Sequence, residues 1–177
     1  NASISHFWMK TRNTAEESGG LTPGGDTAYR AVSSATRRGW ELELSGELAH
    51  GWQAQGSLVQ QNSSLGNASQ YPQYQFKLGS TYRFGGGALR GLTVGAATRW
   101  QGKTEIGNSA ATLAQDSYAL LDLMARYQAD KHLSFSLNVN NALDRQYLAG
   151  MTHFSAIGLY YTWGAPRSVN VGMRYDF

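Results

Sequence analysis

The residues best equipped for chemistry are the four histidines, His6, His50, His132 and His153, and they do not assemble a catalytic set. None stands at metal-ligand spacing from another histidine or a carboxylate, and neither HExxH nor GxSxG occurs. Cysteine is absent, which removes disulfides and thiolate zinc sites. The run Gly85-Gly86-Gly87-Ala88-Leu89-Arg90-Gly91 has the glycine content of a phosphate loop, but it lacks the GK[ST] ending and joins two strand-like segments, so it reads as a turn. Asn62-Ser63-Ser64 and Asn67-Ala68-Ser69 match a glycosylation pattern and read as loop composition. Glu41, Glu43 and Glu47 share one row, where contact with water or a packed partner suits them better than a cation. Arg37-Arg38 alone is too short a basic run to imply a lipid site. The most suggestive group is aromatic: His153, Phe154, Tyr160, Tyr161 and Trp163 crowd one long connection. Aromatic walls bind conjugated groups by stacking, although Tyr160, Tyr161 and Trp163 would serve equally in an interfacial belt. We expect no catalytic residue, metal site or cofactor, and therefore no enzyme.

The elements that carry these residues have a period of two. Trp40, Leu42, Leu44 and Leu48 alternate with Glu41, Glu43, Ser45 and Glu47, which is strand patterning. The same alternation marks Trp52–Leu58, Tyr74–Phe84, Leu92–Trp100, Leu121–Tyr127, Leu133–Val139 and Val169–Phe177, with Ser3–Lys10 a weaker candidate. About eight strands result, joined alternately by short turns and long loops. The turns lie near His50-Gly51, Gly85–Arg90 and Asp130-Lys131; the loops run roughly Thr11–Thr27, Asn62–Pro72, Lys103–Gln115 and Ala142–Ala165. Such asymmetry is the habit of transmembrane barrels, whose periplasmic turns are short and extracellular loops long.

Composition narrows the class. Among 177 residues, 15% are charged and 12% aromatic, against disorder and against a coiled coil. A net charge of +3, evenly spread, implies no nucleic-acid partner. No apolar run is long enough for a membrane helix, but membrane strands need only about 9 to 11 residues. Alternation alone fits a soluble barrel or a membrane barrel. Aromatic placement favours the membrane: Trp52, Phe84, Tyr127 and Phe177 lie at the short-turn ends and Trp100 and Tyr74 near the long-loop ends. Glu41, Glu43, Glu47, Lys77, Arg83, Arg99, Asp122, Arg126 and Arg174 would then line a water-filled or plugged lumen.

Two resemblances sharpen this. Val169, Val171, Met173, Tyr175 and the terminal Phe177 resemble the signal that outer-membrane barrels present to their assembly machinery. Asn138-Val139-Asn140-Asn141-Ala142-Leu143-Asp144-Arg145-Gln146-Tyr147 resembles the NVxNLFDKxY stretch of TonB-dependent receptors, with Leu143 where Phe is usual. Gly164-Ala165-Pro166-Arg167 resembles the GxPR lead-in to their last strand, most familiar in siderophore receptors; Arg38-Gly39-Trp40-Glu41-Leu42-Glu43 and Asp122–Tyr127 fit earlier strands of the same order.

The resemblance implies an all-β, antiparallel transmembrane barrel of 22 strands around an N-terminal plug. Residues 1–177 would be its C-terminal segment, without plug or TonB box. It further implies uptake of a ferric siderophore as transported ligand and coupling to TonB through the plug region. Its other partners would be outer-membrane lipid and the barrel assembly machinery. The aromatic group from His153 to Trp163 would be the candidate ligand contact. The rivals are a self-contained eight-stranded outer-membrane barrel with a structural or adhesive role, and a soluble lipocalin-like carrier.

Overall fold

The computed structural model describes residues 1–12, 14–32, 35–64, 71–107, 111–154 and 158–177, apart from the side chains of Thr14, Glu16, Val32, Ala35, His153 and Phe154. Eight strands form one antiparallel meander: β1 (Ala2–Thr11), β4 (Ala35–Ala49), β5 (Trp52–Ser63), β6 (Tyr74–Arg83), β7 (Leu92–Gln101), β10 (Tyr118–Gln128), β11 (Leu133–Asn140) and β14 (Ser168–Tyr175). Each pairs with its neighbour in that order, and β1 and β14 are the edges of an open sheet. The remaining strands form three two-stranded ribbons: β2 (Thr14–Leu21) with β3 (Thr27–Val32), β8 (Thr104–Gly107) with β9 (Thr112–Gln115), and β12 (Leu148–Phe154) with β13 (Gly158–Trp163). Three of the four long connections thus fold back as ribbons, where the sequence pattern gave only loops. The first connection also reaches further than Thr27, since β3 occupies it to Val32 and β4 begins at Ala35. A short ribbon with few apolar residues leaves no alternation long enough to read, even though Ile106 of β8 is buried at 7% exposure.

Tight turns close the opposite end. Gly51 has φ +76°, and a Cβ there would stand 2.6 Å from the Arg83 carbonyl oxygen, so glycine is required by backbone and neighbour together. Its N–H donates to the Glu47 carboxylate at 2.9 Å. Asp130 closes the β10–β11 turn by accepting the N–H groups of His132 (2.7 Å) and Leu133 (3.0 Å). Those two backbone donors hold its carboxyl below the ordinary carboxylate range.

The register aligns one apolar face across all eight strands. Ile4 pairs with Leu42, Leu42 with Leu58, and Leu58 with Phe76; Phe76 then pairs with Trp100. Further on, Leu123 lies between Ala96 and Val139, and Leu137 faces Val171. Protein does not cover this face: Ile4 is 70% exposed and Val171 80%. The buried apolar side chains among the described residues are Pro72, Ile106, Tyr118 and Leu120. An apolar face of this extent, left bare in water, would drive aggregation, and a lipid environment removes that cost. Aromatic residues bracket it. Trp52 pairs with Tyr82 at the turn end, where Tyr82–Phe84 and Tyr175–Phe177 make edge contacts at 4.9 and 5.1 Å. At the long-loop end Trp40 contacts His6 at 4.6 Å, and Trp100 pairs with Phe76.

The other face is polar. One row crosses it from Glu43 through Ser57 and Lys77 to Arg99, and ends at Leu120. Leu120 is 1% exposed and Tyr118, on the same side, is 9% exposed, so the chain covers this face at the long-loop end. Depressions of about 610 and 530 Å³ lie along it, the first beside Glu47, Gln55 and Asp122 and the second beside Glu43, Lys77 and Arg99.

Candidate functional site

The stretch after β11 becomes a structural knot because Asn141 can turn the chain and hold it. Asn141 adopts φ +48°, a conformation asparagine tolerates better than most residues, and it is 3% exposed. Its amide nitrogen donates to the carbonyls of Arg145 (2.9 Å) and Ala165 (3.1 Å), and its side-chain oxygen accepts the Arg145 N–H (2.9 Å). Its backbone N–H donates to Asp122 of β10 at 2.8 Å. One side chain therefore ties both ends of the last long connection to each other, and its backbone ties them to the sheet.

Two further contacts complete the knot. The Asp144 carboxylate accepts the Arg167 N–H at 3.0 Å and stands 3.8 Å from its guanidinium. Gly164 donates its N–H to the Tyr147 carbonyl at 2.8 Å, and a Cβ at Gly164 would collide with the Tyr147 ring. That ring packs against Tyr118 at 4.7 Å. The two motifs recognised in the sequence, residues 138–147 and 164–167, thus bind each other.

The β12–β13 ribbon springs from this knot. Its other anchor is Gln115 of β9, whose side-chain oxygen accepts the Leu148 N–H at 2.6 Å. Of the five aromatic candidates, Tyr161 and Trp163 come together, with rings 5.6 Å apart at 87°. Both are more than half exposed. Tyr160 lies on the opposite side of the ribbon by strand alternation, opposite Thr152 in register. His153 and Phe154 pair with Leu159 and Gly158 through their backbones, and their side chains lie outside those described. The ribbon is separate from the main sheet, and β14 begins only at Ser168.

Arg145 went unnoticed in the sequence as a site residue. With Asp144, Gln146, Trp163, Gly164 and Pro166 it lines a depression of about 280 Å³, and its guanidinium has no ion-pair partner among the described residues. An exposed indole beside an unpaired guanidinium is suited to an anionic, conjugated ligand, by stacking and charge together. Spacing could not have paired Arg145 with Trp163, because they come close only through the knot that Asn141, the Asp144–Arg167 contact and the Gly164–Tyr147 hydrogen bond make together.

An antiparallel meander with a bare apolar face between aromatic belts, a polar opposite face, and long connections at one end is the wall of an outer-membrane β-barrel. The family described as TonB dependent receptor-like, beta-barrel, matches residues 1–142, and the chain belongs to it. Over its whole length the chain is 37% identical to the ferripyoverdine receptor of Pseudomonas aeruginosa, covering 23% of that protein. It is 39% identical over 156 residues to the ferric-pyoverdine BN7/BN8 receptor of Pseudomonas putida, with 86% of this chain and 18% of the relative covered. The crystal structure of the Pseudomonas aeruginosa outer-membrane ferripyoverdine receptor bound to ferripyoverdine superposes with a TM-score of 0.79 at 36% identity, over 99% of this chain and 25% of that one. The chain spans about a fifth to a quarter of the length of these relatives.

Proposed function

We propose that this chain forms barrel wall, lumen lining and ligand-facing loops of a bacterial outer-membrane receptor that imports a ferric siderophore, energised through TonB. The observation that carries the reading is the match to ferripyoverdine receptors across the whole chain, its sheet and its last loop alike. In this reading the ferric siderophore is transported substrate, and the protein binds and moves it without catalysis. Tyr161, Trp163 and Arg145 meet the ligand at the long-loop end, with Tyr160, His153 and Phe154 as further contacts from the same ribbon. The polar row of Glu43, Lys77 and Arg99 faces a water-filled or plugged lumen, and energy reaches it through a plug region that engages TonB. Val169, Val171, Met173, Tyr175 and Phe177 present the last strand to the barrel assembly machinery.

Uptake of radiolabelled ferric pyoverdine by cells lacking and then regaining this gene tests the reading. Uptake restored only in cells with intact TonB is expected. Restoration that ignores TonB, or no restoration with any of a panel of pyoverdine and catecholate siderophores, would overturn it.

A further inference from the structure

The start of β12 is held from outside its own ribbon. In the β8–β9 ribbon Thr104 pairs with Gln115 and Ile106 with Leu113, so these four residues share one side. Thr104 and Ile106 are buried, which makes that side the docked one, and β12 runs in contact with β8. Gln115 uses both ends of its amide. Its nitrogen donates to the Asp116 carbonyl at 2.8 Å, which aims its oxygen, and that oxygen accepts the Leu148 N–H at 2.6 Å. Three residues further on, Tyr118 packs against Tyr147, the residue before Leu148, so the two connections meet at two adjacent points. Leu148 is the register partner of Trp163, and the register shifts between Leu148 and Gly150. A shift of this kind interrupts the ladder, so pairing with β13 alone fixes the Leu148–Trp163 pair loosely. Burial does not fix the indole either, since Trp163 and the Tyr161 ring edge-on to it are both more than half exposed.

We propose that Gln115 is a positioning residue for the ligand site: reaching across from the neighbouring ribbon, it fixes the Leu148–Trp163 pair and so the indole on which a conjugated, anionic ligand stacks. The proposal rests on the ligand reading of Tyr161, Trp163 and Arg145 given above. The site is then held from two sides, by Asn141 at Arg145 and by Gln115 at Leu148. A stacking contact is strongest when its ring is set before the ligand arrives, because ordering an exposed side chain on binding subtracts from affinity. The coupling is reciprocal: a ligand that immobilises Trp163 also holds Leu148 against Gln115, so occupancy of the β12–β13 ribbon is felt in β9.

The test uses the full-length protein with its tryptophans labelled as 5-fluorotryptophan, the Trp163 signal being assigned through Trp163→Phe. Without ligand, the parent should give one sharp Trp163 fluorine signal. Gln115→Met, which keeps the length and lacks the acceptor, should broaden or split it; Gln115→Glu, which keeps an oxygen for the Leu148 N–H, should restore it. A donor left unpaired in a half-buried place shifts a local equilibrium by about tenfold, so Gln115→Met should weaken ferric pyoverdine binding about tenfold, chiefly through faster dissociation. In a Trp163→Ala background the same substitution should change affinity by less than about twofold, because its effect runs through the indole. An unaltered Trp163 signal in Gln115→Met would overturn the proposal, as would an equal loss of affinity with and without Trp163. Heat-modifiability on a gel establishes that each variant is folded, and Gln115→Asn, one methylene too short to reach Leu148, replaces Gln115→Met if that variant is not. Absence of ferric pyoverdine binding in the parent, or no loss from Trp163→Ala, would overturn the ligand reading instead, and the fluorine signal would still decide whether Gln115 places Trp163.

Discussion

Replacing Asn141 by alanine should free the last long connection without dissolving the sheet. The substitution removes three side-chain hydrogen bonds, to the Arg145 and Ala165 carbonyls and from the Arg145 N–H, at a position only 3% exposed. Each is worth about 0.5 to 1.5 kcal/mol net, and partners left unpaired in a buried place push the cost toward the upper end. Alanine at φ +48° adds about 1 kcal/mol that asparagine largely avoids. The local cost is therefore about 3 to 5 kcal/mol, and the lower bound raises local opening on the order of a hundredfold. Hydrogen exchange should record this at the Arg145 and Gly164 amides, whose acceptors are Asn141 and the Tyr147 carbonyl. Amides in the β10–β11 ladder should change little. Asn141→Gly, which relieves the backbone but not the lost bonds, should fall about 1 kcal/mol short of the alanine effect. Unchanged protection at Arg145 and Gly164 in Asn141→Ala would refute the bracket, and equal loss throughout β10 and β11 would mean that it holds the sheet rather than the loop.

Three further outcomes follow from the fold. Val171→Arg places a charge in the middle of β14 on the bare apolar face, and should cost about 2 to 4 kcal/mol of barrel stability in lipid vesicles; a cost under 0.5 kcal/mol would mean the face does not meet lipid. Phe177→Ser should lower the amount of folded barrel in outer membranes, as read by heat-modifiability, and unchanged levels would count against the terminal-signal reading. The depressed Asp130 carboxyl favours the folded turn above its unfolded pKa of about 3.9, and that contribution disappears as pH falls through the lower folded value. The His132 and Leu133 amide resonances should thus titrate below 3.9 and not at all in Asp130→Asn; a midpoint at the ordinary carboxylate value would remove the turn from this account.

The strands and turns were legible because their physics is local. In Trp40–Leu48 alternation separates a lipid row from a water row, and Gly51 and Asp130 mark turns through requirements that a sequence displays. The ribbons were not legible, since β8–β9 and β12–β13 are held by register and by anchors such as Gln115, and the one apolar side chain buried there among the described residues, Ile106, makes no periodic row. In the candidate site the sequence pointed to Tyr161 and Trp163, which do meet. It missed Arg145, whose neighbourhood depends on a hydrogen bond from Asn141 to Ala165, 24 residues away.

A membrane barrel requires the apolar face, and not the polar one, to meet lipid. The chain has no cysteine, so single cysteines can be introduced at Leu42, Leu58 and Leu137 on the apolar face and at Glu43, Ser57 and Lys77 on the polar face, and spin-labelled in outer membranes. The first three should collide with dissolved oxygen and be shielded from a water-soluble nickel chelate. The second three should show the reverse, unless a plug shields them from both reagents. Chelate access at Leu42, Leu58 and Leu137 with oxygen access at Glu43, Ser57 and Lys77 would contradict the membrane-barrel account.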